Sequence, residues 1–327
     1  MKYFQTLLIL VFVSSCLFNK TDPKITSKNY AIYDDDNRVF IIDGISEENS
    51  QIKKNSKAVA AMVRKRILRS DEDSNFYTFK KTTVANQYGL CSDQSFAQNN
   101  ALANCTGFLI AGDLLVTAGH CITSARDCEN FSWVFDYQAN SDSFKKENVY
   151  NCKEIVFRKV KQDREEFVDL AVIKLDKPTN RKNLKLRTYG RLSEQTPVYI
   201  IGHPLGMGLT LAESAKTYPM DRKVLLPESS EQNDLDFFNA QIIHQDKLFI
   251  TDIDGFAGNS GSPVFNARTH TVEGIFLGGA NDFKDRVNDH FICGENNKID
   301  TLSGKIQEHI LRVRDIAQLQ ELIKTSN

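Results

Sequence analysis

From residue 32 to residue 277 the apolar residues fall in short runs broken by turn residues, and this pattern limits the fold more than any other feature of the chain. Residues 106–110 and 114–117 flank Ala111-Gly112-Asp113, a hairpin signal. Residues 132–137, 154–160, 170–175, 198–201, 247–252, 263–266 and 271–277 read as further strands. Many short strands with little helix point to an all-β fold, a sandwich or barrels. There is no internal repeat and no low-complexity tract. One stretch breaks the pattern: Ile306, Ile310, Val313, Ile316, Leu319 and Ile323 recur in steps of three and four. This spacing predicts an amphipathic α-helix over 305–324, capped by Ser303, that packs to close the domain. Its polar face is mixed in charge, which argues against a membrane-surface helix.

With 327 residues, 41% apolar and 25% charged, the chain can bury a sizeable core and is not a disordered polymer. Its formal charge of −1 and the lack of a long basic run leave no broad cationic face, so nucleic acid is not an expected partner.

Lys2 followed by seven apolar residues, Leu7 to Val13, has the form of a signal-peptide core, too short to span a bilayer. Val13-Ser14-Ser15-Cys16 resembles the lipobox of bacterial lipoproteins, which implies lipidation at Cys16. The expected organisation is a signal with lipobox over 1–16, a tether or pro-segment over 17–29, and one catalytic domain over 30–327. The protein is expected to leave the bacterial cytoplasm, as a periplasmic or cell-surface lipoprotein or as a secreted protein. The only expected membrane contact is a lipid on Cys16. Of seven cysteines, six then remain to pair in an oxidising compartment.

Acyl transfer by a serine needs a base, a carboxylate to orient it, and donors for the oxyanion. Three segments carry these groups: Thr117-Ala118-Gly119-His120-Cys121, Val168-Asp169-Leu170-Ala171, and Gly258-Asn259-Ser260-Gly261-Ser262-Pro263. Alone, the His and Asp are weak signals. Together, in the order His, Asp, Ser with steps of 49 and 91 residues, they resemble the blocks of trypsin-like (chymotrypsin-fold) serine endopeptidases. The resemblance implies two six-stranded antiparallel β-barrels, here followed by the C-terminal helix. It also implies Ser260 as nucleophile, His120 as general base and acid, Asp169 as its orienting carboxylate, and the N–H groups of Gly258 and Ser260 as oxyanion hole. It further implies a disulfide between Cys105 and Cys121. Cys128 and Cys152 flank a strand pair and are candidates to bridge, leaving Cys91 and Cys293; four cysteines allow three pairings, and all stay open.

Asn259 stands where trypsin-type zymogens carry Asp, so activation through a freed amine is not expected. The Gly-Asn-Ser-Gly-Ser-Pro block instead resembles the bacterial glutamyl-endopeptidase branch. The Asp35–Asp43 stretch resembles that branch's mature N-terminus, implying maturation near residues 29–31. In that branch a His on the strand after the nucleophile reads the substrate; here Phe276 occupies that place, followed by Leu277, Gly278 and Gly279. Gly255 replaces the branch's Thr. Asp254, six residues before the nucleophile, stands where trypsin-type enzymes bind Arg or Lys, so Asp254, Phe276, Leu277, Gly278 and Gly279 are the expected substrate-binding residues. The expected substrates are proteins or peptides cleaved after Arg or Lys, by a monomer. The alternatives are a catalytically silent binding module on the same fold and a glutamate-specific endopeptidase. No cofactor is expected. No Cys-x-x-Cys or His-x-x-x-His spacing suggests a metal. His203 reads as structural; His244, His270, His290 and His309 read as surface residues; Asp34-Asp35-Asp36 reads as a solvated turn.

Overall fold

The run Val-Ala-Ala-Met-Val at 59–63 is apolar throughout, as a strand buried on both faces requires. It opens the first of two barrels. In a computed structural model the described residues are 31–44, 50–70, 73–218, 243–287, 292–303, 308–314, 319, 321, 322 and 324. The first barrel is built from β1 (Val59–Arg64), β2 (Ala103–Leu109), β3 (Leu114–Thr117), β4 (Phe131–Phe135), β5 (Val149–Gln162) and β6 (Phe167–Leu175). The second uses β7 (Pro197–Gly202), β8 (Thr210–Tyr218), β9 (Leu248–Thr251), β10 (Pro263–Asn266), β11 (Val272–Gly278) and β12 (Glu308–Arg312).

All pairings within the barrels are antiparallel. The first closes in the order β1-β2-β3-β6-β5-β4 and the second in the order β7-β8-β9-β12-β11-β10. The same winding therefore occurs twice without a sequence repeat. Closure removes the unpaired strand edges, and any sequence that fills the interior can adopt it. Trp133, Phe108, Phe135 and Met62 are fully buried in the first barrel; Phe249, Val264, Phe276 and Ile310 cluster in the second.

The two expected barrels are present. The expected helix over 305–324 is corrected: Glu308–Arg312 is strand β12, hydrogen-bonded between β9 and β11. Among the described residues of this stretch, helical ones come later, at Leu319, Glu321, Leu322 and Lys324. Glu308 to Leu311 are all buried, so this central strand lacks the alternation that marks a half-exposed one.

Three disulfides join Cys91 to Cys293, Cys105 to Cys121 and Cys128 to Cys152. The N-terminal segment is built into the second barrel. Ile32–Tyr33 pairs in parallel with Lys298–Ile299, and Arg38–Phe40 adds to the edge of β8. The signal with Cys16, the segment 17–29 and His290 lie outside the described residues.

Candidate active site

His120 sits in the short 3-10 turn Gly119–Cys121, directly after β3. Asp169, near the start of β6, holds it at two points. Its Oδ2 lies 2.6 Å from His120 Nδ1, and its Oδ1 accepts the His120 backbone N–H at 2.8 Å. The Asp169 side chain is 2% exposed, so this grip operates away from water. It fixes the ring with Nε2 directed away from the carboxylate. That nitrogen is buried and makes no hydrogen bond with the described residues. A third contact was not legible in the motifs: Gln162 Nε2 donates to Asp169 Oδ2 at 2.9 Å.

Ser260 lies in the turn between β9 and β10. Gly258 and Gly261 have φ of +95° and +88°, a region that favours glycine. Space demands it as well. A Cβ would come within 2.4 Å of His203 O at Gly258 and within 2.2 Å of Thr106 O at Gly261. Both barrels grip the turn. From β2, the Thr106 N–H donates to Ser260 O at 2.9 Å and the Thr106 hydroxyl to Gly258 O at 2.8 Å. From β11, Phe276 O accepts the Gly261 N–H at 2.8 Å. The Ser260 hydroxyl donates to Leu277 O at 3.4 Å.

The Cys105–Cys121 disulfide brings the histidine turn onto the serine turn. Cys121 Sγ lies 3.6 Å from Ser260 O and within 4.8 Å of a ring nitrogen of His120. Cys105, His120 and Cys121 are ligand-type residues in one place, but the two sulfurs are bonded to each other and offer no thiolate.

The sequence profile of the trypsin-like peptidase domain matches residues 105–275, which includes all three of these residues. The chain belongs to the trypsin-like peptidase family. No curated protein matches it. Among solved structures, the peptidase is similar to a Glu endopeptidase (16% identity, 90% of this chain, 98% of the other, TM-score 0.48). It is also similar to the Vibrio cholerae VesB protease, at 13% identity and TM-score 0.47. That match covers 83% of this chain, which spans 64% of VesB. A third is kallikrein-related peptidase 10 (15% identity, 69% of this chain, 92% of the other, TM-score 0.44).

Behind the serine turn, the peptidase differs from the sequence expectation. Asp254 is 1% exposed, and both its oxygens are taken by the N-terminal segment: Oδ1 by the Tyr33 N–H at 2.8 Å, Oδ2 by the Asn37 N–H at 3.0 Å. The expected role as the group that meets a substrate cation is corrected accordingly; the carboxylate anchors the chain's own backbone. Burial pushes its pKa up to about 7, against the lowering effect of the two amides.

Two more buried carboxylates gather here. Asp282 accepts the Ala257 N–H, and Glu308 accepts the Ala280 N–H and the Tyr33 hydroxyl, each at 3.3 Å. Burial drives both pKa values well above the ordinary carboxylate range. Glu308 Oε2 has no partner among the described residues. Its carboxylate fills the space a side chain would need at Gly279, and Oε2 lies 3.0 Å from a Cβ at Gly255. Both glycines flank the serine region, at the end of β11 and five residues before Ser260. Phe276 is fully buried with its ring against Gly255; Leu277 and Gly278 continue β11. The sequence missed Glu308 because its neighbours read as helix.

The other histidines divide by burial. His203 Nδ1 meets Met207 O at 2.9 Å and its ring stacks on Tyr137, with burial holding its pKa down to about 4. His309 is not a surface residue: it is 4% exposed in β12, with its pKa likewise pushed down to about 4 by burial. His270 lies with Nδ1 3.0 Å from the Tyr199 hydroxyl, and His244 is half-buried. In the acidic turn, Asp34 binds Thr301 and Asp36 pairs with Arg38.

Proposed function

We propose that this peptidase is a serine endopeptidase acting through Ser260, His120 and Asp169. The observation that carries the reading is the two-point hold of Asp169 on His120, which leaves Nε2 unpartnered beside the serine turn. In the proposed reaction, Nε2 takes the Ser260 proton as Oγ attacks the scissile carbonyl. Asp169 stabilises the imidazolium that forms, and the N–H groups of Gly258 and Ser260 receive the oxyanion. The imidazolium then protonates the leaving amine, giving an acyl-enzyme. Water, deprotonated by the same nitrogen, hydrolyses it.

A preference for Arg or Lys before the scissile bond is retained, but it rests on Glu308 rather than Asp254. Glu308 offers a buried, unpaired oxygen between Gly255 and Gly279; burial favours its neutral form, and an entering cation would favour its ionised form. Three disulfides support work in an oxidising compartment, and a lipid on Cys16 remains the proposed anchor.

Fluorophosphonate labelling tests the reading. Labelling of wild type that disappears in Ser260→Ala is the expected result. An unlabelled wild type, or labelling that persists in Ser260→Ala, removes it and favours a silent binding module.

A further inference from the structure

We infer that Gln162 is a positioning residue for Asp169, the carboxylate that orients His120, an inference that rests on the triad reading above. Gln162 is the last residue of β5, paired directly with Phe167 on β6. In an antiparallel pair, residues two apart on one strand share a face, and a long side chain reaches the diagonal neighbour across the ladder. Asp169, two residues beyond Phe167, is that neighbour. Gln162 uses the reach to donate Nε2–H to Asp169 Oδ2, the same oxygen that faces His120 Nδ1.

The chemistry suits a neutral donor here. A carboxylate that must stay ionised while buried needs hydrogen bonds to its charged form. An amide supplies one without titrating and without competing for the imidazolium as a cation would. The hairpin around Gln162 keeps its own charges occupied. Lys159 pairs with Glu166 at 2.6 Å and Lys161 with Glu165 at 2.7 Å. Asp163 accepts the N–H groups of Glu165 and Glu166 in the turn. From another element, His244 meets this turn, with its Nε2 3.0 Å from Asp163 O. The turn geometry therefore fixes where the Gln162 side chain starts, and Asp169 fixes where it ends.

The inference also orders the roles of the two barrels. Asp169 and Gln162, which hold His120, both come from the first barrel, whereas the serine turn leads into the second.

Two nearly isosteric variants test this, with a fluorogenic peptide selected by cleavage-site profiling. Gln162→Met removes the donor: kcat is expected to fall roughly 10- to 100-fold with KM little changed. Its thermal midpoint should stay near wild type, since Gln162 ends its strand beside an exposed turn. Gln162→Glu sets a second carboxylate beside Asp169 and should move the acid limb of kcat/KM up by about one pH unit. In an Asp169→Asn background, Gln162→Met should cost almost nothing further. A Gln162→Met enzyme with full kcat, an unmoved acid limb in Gln162→Glu, or an undiminished loss in the Asp169→Asn background would each overturn the inference alone. A wild type that does not react with fluorophosphonate overturns the triad reading and takes this inference with it.

Discussion

Tyr33 donates its backbone N–H to Asp254 at 2.8 Å, across 221 positions of sequence. The contact turns a candidate substrate carboxylate into a structural anchor and makes the N-terminal segment part of the second barrel. It also carries a pH signature. With a native pKa near 7 against an ordinary 3.8, Asp254 keeps a proton over pH 4–7 that the unfolded chain has released. Stability from this group is therefore full at low pH and is lost as pH rises through that window. In Asp254→Asn an NH2 faces one of the two donor amides, so the variant should melt below wild type at pH 5. Its deficit should shrink by pH 8, because only wild type pays the ionisation cost. A deficit independent of pH, read by thermal unfolding, would contradict this.

Glu308→Gln removes the ionisable group but keeps the shape. If the unpaired oxygen receives a substrate cation, kcat/KM for peptides with Arg or Lys before the scissile bond should drop roughly tenfold or more relative to Ala peptides. Peptide-library profiling reads the change. A wild type that prefers Glu would sink the cationic reading outright.

Thr106 joins the barrels at the nucleophile. Its hydroxyl donates to Gly258 O and accepts the His203 N–H at 3.1 Å. Thr106→Val keeps the shape and leaves both buried groups unpaired, at about 1–3 kcal/mol each. The expected outcome is a lower melting temperature together with slower fluorophosphonate labelling, because Gly258 lies in the serine turn. Unchanged labelling in a folded variant would show that the turn does not depend on this clamp.

The Cys105–Cys121 bridge closes a 16-residue separation. Chain entropy alone values it at about 3 kcal/mol. Replacing both cysteines with Ala should lower the melting temperature by roughly 5–10 °C. Activity should fall further than stability explains, since Cys121 sits between His120 and Ser260. A double variant with wild-type turnover below its melting point would contradict that second effect.

The strand content was legible because alternating and fully apolar short runs follow directly from the two faces of a sheet. The candidate residues for acyl transfer were legible because glycine-flanked Ser260 and the local settings of His120 and Asp169 are properties of short segments. Where the sequence misled, a polar residue was buried by contacts from far along the chain. Glu308 and His309 look like the wet face of a helix in sequence, yet β9 and β11 enclose them on both sides. Asp254 has the right offset from the nucleophile for a substrate pocket, but its two oxygens are claimed by residues over 200 positions away. Gln162 belongs to no motif, and only the β5–β6 register sets it diagonal to Asp169. Sequence by itself determined which chemistry the chain carries, because that depends on residue type and local backbone. Only the tertiary structure decided which carboxylate anchors, which stays unpaired and which donor attends Asp169, because desolvation and hydrogen-bond partners are set by packing between distant segments.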